Sequence, residues 1–158
     1  MPPTLEDAIR LAAFLHAGES DKSDEPYILH PLAVMLDRSL TTEVERMTAV
    51  LHDTVEDCGI TVDFIRKRGY PGSVVEALEY LTKRPEEEAA DGDSRDERER
   101  KYAAYIERVA SGPPLVRKVK LADLRHNADL SRFKSPSRWD IERTEKYTRA
   151  IARLEAAS

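Results

Sequence analysis

Apolar residues recur at intervals of three and four along most of this chain, the spacing of α-helices that bury one face. Leu5, Ala8, Ile9, Ala12, Ala13 and Leu15 follow the capping residue Thr4, and Gly18 ends the segment. Pro31 suits the first turn of a second helix running to about Leu40, and Thr42 with Glu45 forms a capping box for a third with Val44, Met47, Val50 and Leu51 inward. Thr61 caps a short helix carrying Val62, Phe64 and Ile65, and Pro71–Gly72 marks a turn before another over Val74 to Leu81. Tyr102, Tyr105, Ile106 and Val109 restore the period until Gly112, Pro113 and Pro114 break it. Leu115, Val116, Val119, Leu121 and Ala122 carry the next helix. A last one runs from Trp139 to Leu154, capped from the Ser135 to Ser137 region. Six glycines and few β-branched or aromatic runs leave little material for a sheet.

The chain has 158 residues, enough for one domain with a real core. Its net charge of −5 is concentrated between Glu86 and Glu99, which hold eight acids and two bases, so the remainder is near neutral. That balance excludes a general nucleic-acid binder. Residues 84–97 have no core-facing period and are expected to form a mobile, solvated acidic loop. A single cysteine, Cys58, cannot make an internal disulfide, and no apolar run is long enough for a membrane span or a signal peptide. A cytoplasmic location is the expectation.

The densest chemistry lies in AVLHDTVEDCGIT, where an apolar helix delivers His52, Asp53, Glu56 and Asp57 within six positions. Imidazole and carboxylate together can ligate a divalent ion, and the two further acids lie one turn on. A lone His-Asp pair at a helix end is more simply a solvated terminus, but two other residues belong with it. His30, flanked by Ile28, Leu29 and Leu32, is carried inward, and Asp123 follows the buried Val116, Val119 and Leu121. An unpaired acid there would be costly. Coordination of one ion by His30, His52, Asp53 and Asp123 would resolve that cost. Cys58 follows the acids with nothing near it in sequence to suggest an activated thiol. From Arg117 to Arg153 there are eleven Lys or Arg against five acids, with Lys118, Lys120 and Arg125 near the site. Tyr27 either borders the pocket or packs beneath it.

The segments DKSDEPYILHPLAV, AVLHDTVEDCGIT and VKLADLRHNADL resemble the hydrolase domain of the RelA/SpoT alarmone enzymes, most of all the stand-alone small alarmone hydrolases. The resemblance spans roughly residues 5 to 130. It implies an all-α, single HD-type phosphohydrolase domain over residues 1–158, a bundle of about seven to eight helices with one Mn2+ ion. By that resemblance His30, His52, Asp53 and Asp123 hold the metal, Glu56 and Asp57 are the catalytic acids, and Lys22 and Asn127 contact the substrate. The implied reaction removes the 3′-pyrophosphate from (p)ppGpp, giving GDP or GTP and pyrophosphate, in the stringent response. Synthesis of the alarmone is not expected, since these residues leave no room for a synthetase domain.

Relatives commonly carry arginine then lysine in the loop where this chain has Asp21 then Lys22, and Leu124-Arg125-His126-Asn127 replaces their Arg-Leu-His-Asn. Two alternatives therefore stand beside the first reading: an HD hydrolase of another nucleotide phosphate, such as ppApp or NADPH, and a non-catalytic nucleotide-sensing module. The partner expected is a small-molecule nucleotide, with neither nucleic acid nor membrane. Exposed helix faces leave a homo-oligomer open.

Overall fold

The computed structural model describes residues 1–158 and is helical, with one isolated β-bridge between Ser20 and Pro26 and no strand. The helices are α1 (Leu5–Leu15), α2 (Leu29–Met35), α3 (Glu43–Leu51), α4 (Thr54–Asp57, a single turn), α5 (Val62–Lys67), α6 (Gly72–Leu81), α7 (Arg95–Ala110), α8 (Pro114–Ala128) and α9 (Arg138–Ala156). Single 3-10 turns occupy Pro85–Glu87 and Leu130–Arg132. No helix is long and apolar enough to cross a membrane.

The expected caps set the helix starts. Thr4, Thr42 and Ser137 form capping boxes with Asp7, Glu45 and Asp140, and Thr61 accepts from the Phe64 amide. Each cap satisfies amides that the first turn leaves without partners and contributes about 1 kcal/mol. Ser94 with Glu97 forms a further box, so α7 begins inside the acidic stretch.

Twenty-seven buried apolar residues form one connected core. Helix α3 runs through it, packed by α1, α2, α6 and α8, with Ala49, Val50 and Leu51 fully buried. Burying a leucine of this kind is worth about 2–3 kcal/mol. A helix end surrounded on all sides fixes the residue that follows it, which here is His52. Helix α2 packs on both α3 and α8, and α8 lies along α9.

Two segments differ from the sequence-based expectation. Helix α2 stops at Met35 rather than near Leu40: the Asp37 carboxylate accepts from the Ser39 amide and hydroxyl, a local turn that competes with the helix. Leu40 is nevertheless buried, carried inward by that turn. Within the acidic stretch Glu86, Glu88 and Asp91 are exposed, but Glu87 is buried. Arg108 clamps it from α7 with two bonds of 2.7 Å.

Candidate active site

Successive side chains on a continuous helix diverge by about 100°. The chain avoids that divergence at His52 and Asp53 by ending α3 and restarting as α4. The Thr54 hydroxyl closes the junction by donating to the Leu51 carbonyl at 2.7 Å. His52 and Asp53 thereby face the same point, where His30 arrives from α2 and Asp123 from α8. His52 Nε2 lies 2.9 Å from Asp53 Oδ2 and 3.3 Å from Asp123 Oδ1. His30 Nε2 lies 2.9 Å from Asp123 Oδ1 and 3.6 Å from Asp53 Oδ2. His30, His52 and Asp123 are buried, and Asp53 is partly so.

This donor set fits a divalent cation. His52 Nδ1 lies 2.6 Å from the Ala49 carbonyl, which only accepts, so Nδ1 carries a proton and neutral imidazole presents a lone pair at Nε2. That buried Nε2 has no aligned hydrogen-bond partner. His30 Nδ1 is 2.7 Å from His126 Nδ1. Burial, with the charges of His30 and Arg132, pulls His126 down to about 4. With the His30 Nδ1 proton directed at neutral His126, His30 Nε2 likewise presents a lone pair to the centre. Bonds of about 2.0–2.2 Å to one ion put neighbouring nitrogen and oxygen donors about 3 Å apart, the spacing seen here.

The two carboxylates are tied from behind. Asp123 Oδ2 accepts from Lys120 Nζ at 2.8 Å and Oδ1 from Asn127 Nδ2 at 3.0 Å, while the Tyr27 hydroxyl donates to Asp53 Oδ2 at 2.5 Å. Burial would raise the Asp123 carboxyl, but the Lys120 and His52 charges outweigh it and hold it well below the usual range. Asp53 is likewise held at about 2, the His52 charge outweighing burial. Burial would lower His52, yet Asp53 and Asp123 keep it well above its ordinary value when no ion shares their charge.

Glu56 and Asp57 stand on α4 beside this centre. Glu56 Oε1 accepts from the Lys83 amide at 3.2 Å. Asp57 lies at the exposed rim, where partial desolvation of its carboxyl, then the charges of Asp53, Glu56 and Glu19, push it up to about 6.

A cavity of about 410 Å³ reaches the centre at His30, the one metal donor in its lining, with Tyr27, Asn127 and Lys22 beside it. Its remaining cations are Arg132 and Arg143, with Thr144 and Tyr147 beside them on α9. Lys22 and Arg143 also line an adjoining cavity of about 340 Å³ that contains Lys83, Arg98 and Lys146. The three cations that the sequence put near the site are each committed to an internal pair: Lys118 with Glu45, Lys120 with Asp123 and Arg125 with Asp37. Arg143 and Tyr147, four apart on one helix face, carried a positional signal that the count of cations alone did not resolve. His126 had none, because its partner His30 is 96 residues away.

No protein-family model matches the chain. Among curated proteins it is 33% identical over 150 residues to the mouse (Mus musculus) guanosine-3′,5′-bis(diphosphate) 3′-pyrophosphohydrolase MESH1, covering 90% of this chain and 78% of that protein. The human (Homo sapiens) MESH1 matches with the same identity and coverage. A probable GTP pyrophosphokinase of Mycobacterium leprae is 33% identical over 141 residues, but the chain spans only 16% of its length. A solved structure described as a metazoan ortholog of SpoT that hydrolyzes ppGpp superimposes with a TM-score of 0.72 over 99% of this chain and 87% of that one, at 24% identity. That likeness bears on the fold, which it shares. With a third of its residues identical to MESH1 over nine-tenths of its length, the chain belongs to the MESH1 family of guanosine-3′,5′-bis(diphosphate) 3′-pyrophosphohydrolases.

Proposed function

We propose that this chain is a metal-dependent phosphohydrolase that removes the 3′-pyrophosphate from ppGpp, with Mn2+ held by His30, His52, Asp53 and Asp123. The observation that carries the reading is the convergence of those four donors, with both imidazole Nδ1 positions tied off so that Nε2 faces the centre. The activity in the names of mouse and human MESH1 supports it. Two imidazoles and two carboxylates suit Mn2+, Fe2+, Co2+ or Zn2+ alike. The near-neutral charge outside the acidic stretch supports a cytoplasmic enzyme of a small nucleotide rather than a nucleic-acid or membrane-bound one.

Bound there, a divalent ion supplies Lewis acidity toward a phosphate oxygen and makes water easier to deprotonate. The reaction breaks the bond between the ribose 3′ oxygen and the adjacent phosphorus, takes one proton from water and returns one to the 3′ oxygen. Asp57, with its carboxyl near 6, exchanges a proton readily around neutral pH. Glu56, fixed by the Lys83 amide, orients the water. Lys22, Arg132 and Arg143 offset the negative charge of the phosphates. Asn127 spends its amide N–H on Asp123 and keeps its carbonyl oxygen for a ribose hydroxyl.

A second reading changes the base. Asp21 accepts from the Ser23 and Glu25 amides, lies 3.8 Å from Arg132 and lines the cavity, so this wall offers a carboxylate to an exocyclic amine. Both guanine and adenine carry one, which keeps ppApp and NADPH as competing substrates.

The test is product release from ppGpp, ppApp and NADPH with Mn2+, comparing the native protein with the Glu56→Gln/Asp57→Asn double variant. The expected outcome is preferred pyrophosphate release from ppGpp, reduced about a hundredfold to ten-thousandfold in a variant that still binds metal. Preferred turnover of ppApp or NADPH would replace the base assignment. No turnover of any of the three by metal-loaded protein would overturn the enzymatic reading in favour of a sensing module.

A further inference from the structure

His16, Glu19 and Cys58 form a second group of metal donors, separate in residues from the first. His16 ends α1, and its side chain is fully buried. Gly18, at φ +85°, turns the chain so that Glu19 comes back over His16, with the Glu19 amide donating to the His16 carbonyl at 3.0 Å. Cys58 caps α4 from the other side. The three donors therefore sit on helix ends and a tight turn.

Both partners crowd one nitrogen. His16 Nδ1 is 3.1 Å from Glu19 Oε2 and 3.4 Å from Cys58 Sγ, and Sγ is 3.8 Å from Glu19 Oε1. His16 Nε2 has only that same sulfur, at 4.0 Å. The Cys58 thiol donates to Glu19 Oε1, so nitrogen, carboxylate and sulfur meet at one point with mainly one another as partners. A tetrahedral ion with bonds of about 2.0 Å to nitrogen and oxygen and 2.3 Å to sulfur places those donors about 3.3–3.6 Å apart. The Nδ1–Sγ separation of 3.4 Å falls in that range, and the Glu19 carboxylate lies on either side of it, Oε2 at 3.1 Å from the nitrogen and Oε1 at 3.8 Å from the sulfur.

The local charge also favours a cation. Sγ is 3.8 Å from Glu19 Oε1 and Cys58 directly follows Asp57, so the thiol stands among carboxyl groups whose negative charge opposes a thiolate. A dication reverses the balance by compensating the carboxylates and displacing the thiol proton. Glu19 and Cys58 are partly exposed, which leaves an entry path and room for water as a fourth ligand.

We propose that His16 Nδ1, the Glu19 carboxylate and Cys58 Sγ bind a thiophilic divalent cation of the zinc class, beside the catalytic acids and independently of the His30/His52 centre. The proposal does not depend on the substrate or on turnover.

Co2+ tests it, because Cys58 is the only sulfur ligand among the donors of either centre and a thiolate bound to Co2+ adds a charge-transfer band in the near ultraviolet. Titration of the Mn2+-loaded protein is expected to raise that band to saturation at one Co2+ per chain, with Zn2+ displacing it. The band should persist in His52→Ala, disappear in Cys58→Ser, and require on the order of tenfold more Co2+ or above in Glu19→Gln. Glu19 is partly exposed, so this variant reports on ligation, whereas His16→Ala would also empty a fully buried position. Absence of the band at saturating Co2+ would overturn the site, as would a band indifferent to Glu19→Gln.

Discussion

Two clusters of histidine and acid lie on either side of one aromatic ring and are built differently. The Tyr27 ring centroid is 4.9 Å from that of His16 and 5.8 Å from that of His30. On the His30 side every donor has a partner behind it: Ala49 for His52, His126 for His30, Lys120 and Asn127 for Asp123, and Tyr27 for Asp53. On the His16 side the donors have mainly one another. Backing of the first kind fixes tautomer and orientation before an ion arrives, as a centre that must hold its geometry through a reaction requires. A cluster without backing depends on the ion for its geometry. Its affinity should follow the softness of the metal more than its preferred shape.

Asp123 tests the difference most severely. Asp123→Ala removes a ligand and also strands Lys120, whose side chain is only 12% exposed and has Asp123 as its ion-pair partner. Breaking a buried pair in this way costs about 3–5 kcal/mol, and the His30/His52 centre should lose its metal along with all measurable hydrolysis. Metal content after dialysis and the denaturant midpoint read the two effects separately. Glu19→Gln at the other cluster changes a partly exposed side chain and keeps an oxygen beside His16, so stability should stay within about 0.5 kcal/mol of the parent. Equal destabilisation by the two would erase the distinction.

Much of the backed cluster was legible in the sequence, because polar residues that interrupt an apolar period need a reason and His30, His52, Asp53 and Asp123 each interrupt one. The caps at Thr4, Thr42, Thr61 and Ser137 were legible for a local reason: side chain and amide lie within three residues of each other. What was hidden depends on tertiary contacts. The partner of Glu87, Arg108, is 21 residues away, and Cys58 meets His16 across 42. Neither pairing leaves a periodic trace. Lys120 reads in the sequence as one of three cations near the site, yet it is nearly buried and committed to Asp123 on the next turn. Leu40 kept the apolar spacing of α2 but lies outside the helix, since the Asp37 turn intervenes and packing still claims the side chain.

Tyr27→Phe sharpens the comparison by keeping the shared ring and deleting the hydroxyl that backs Asp53. Mn2+ affinity at the His30/His52 centre should fall about tenfold to a hundredfold, as is usual when a group behind a ligand is removed. The thiolate–Co2+ band at Cys58 should be unchanged. If both affinities fall together, the ring rather than the hydroxyl is what Tyr27 contributes, and the two clusters are coupled through it.

The smallest effect concerns the helices that carry the backed ligands. Glu45 caps α3, which delivers His52, and accepts at 2.6 Å from Lys118 on α8, which delivers Asp123. Burial would raise its carboxyl, but bonds from Lys118 and the Thr42 and Thr41 amides outweigh that and hold it at about 2, against an ordinary 4.5. A carboxyl depressed on folding stabilises the native state above its unfolded value, and that stability is lost as pH falls through the folded one. Glu45→Gln should therefore destabilise by roughly 1 kcal/mol at pH 7, a figure limited by the exposure of Lys118. The deficit should shrink as pH falls from 4.5 toward 2, read as converging urea midpoints of variant and parent. Since α1 and α4 carry the other cluster, its Co2+ band should not respond to Glu45→Gln. A gap between the midpoints that stays constant across this range would mean that Glu45 acts by packing rather than by charge.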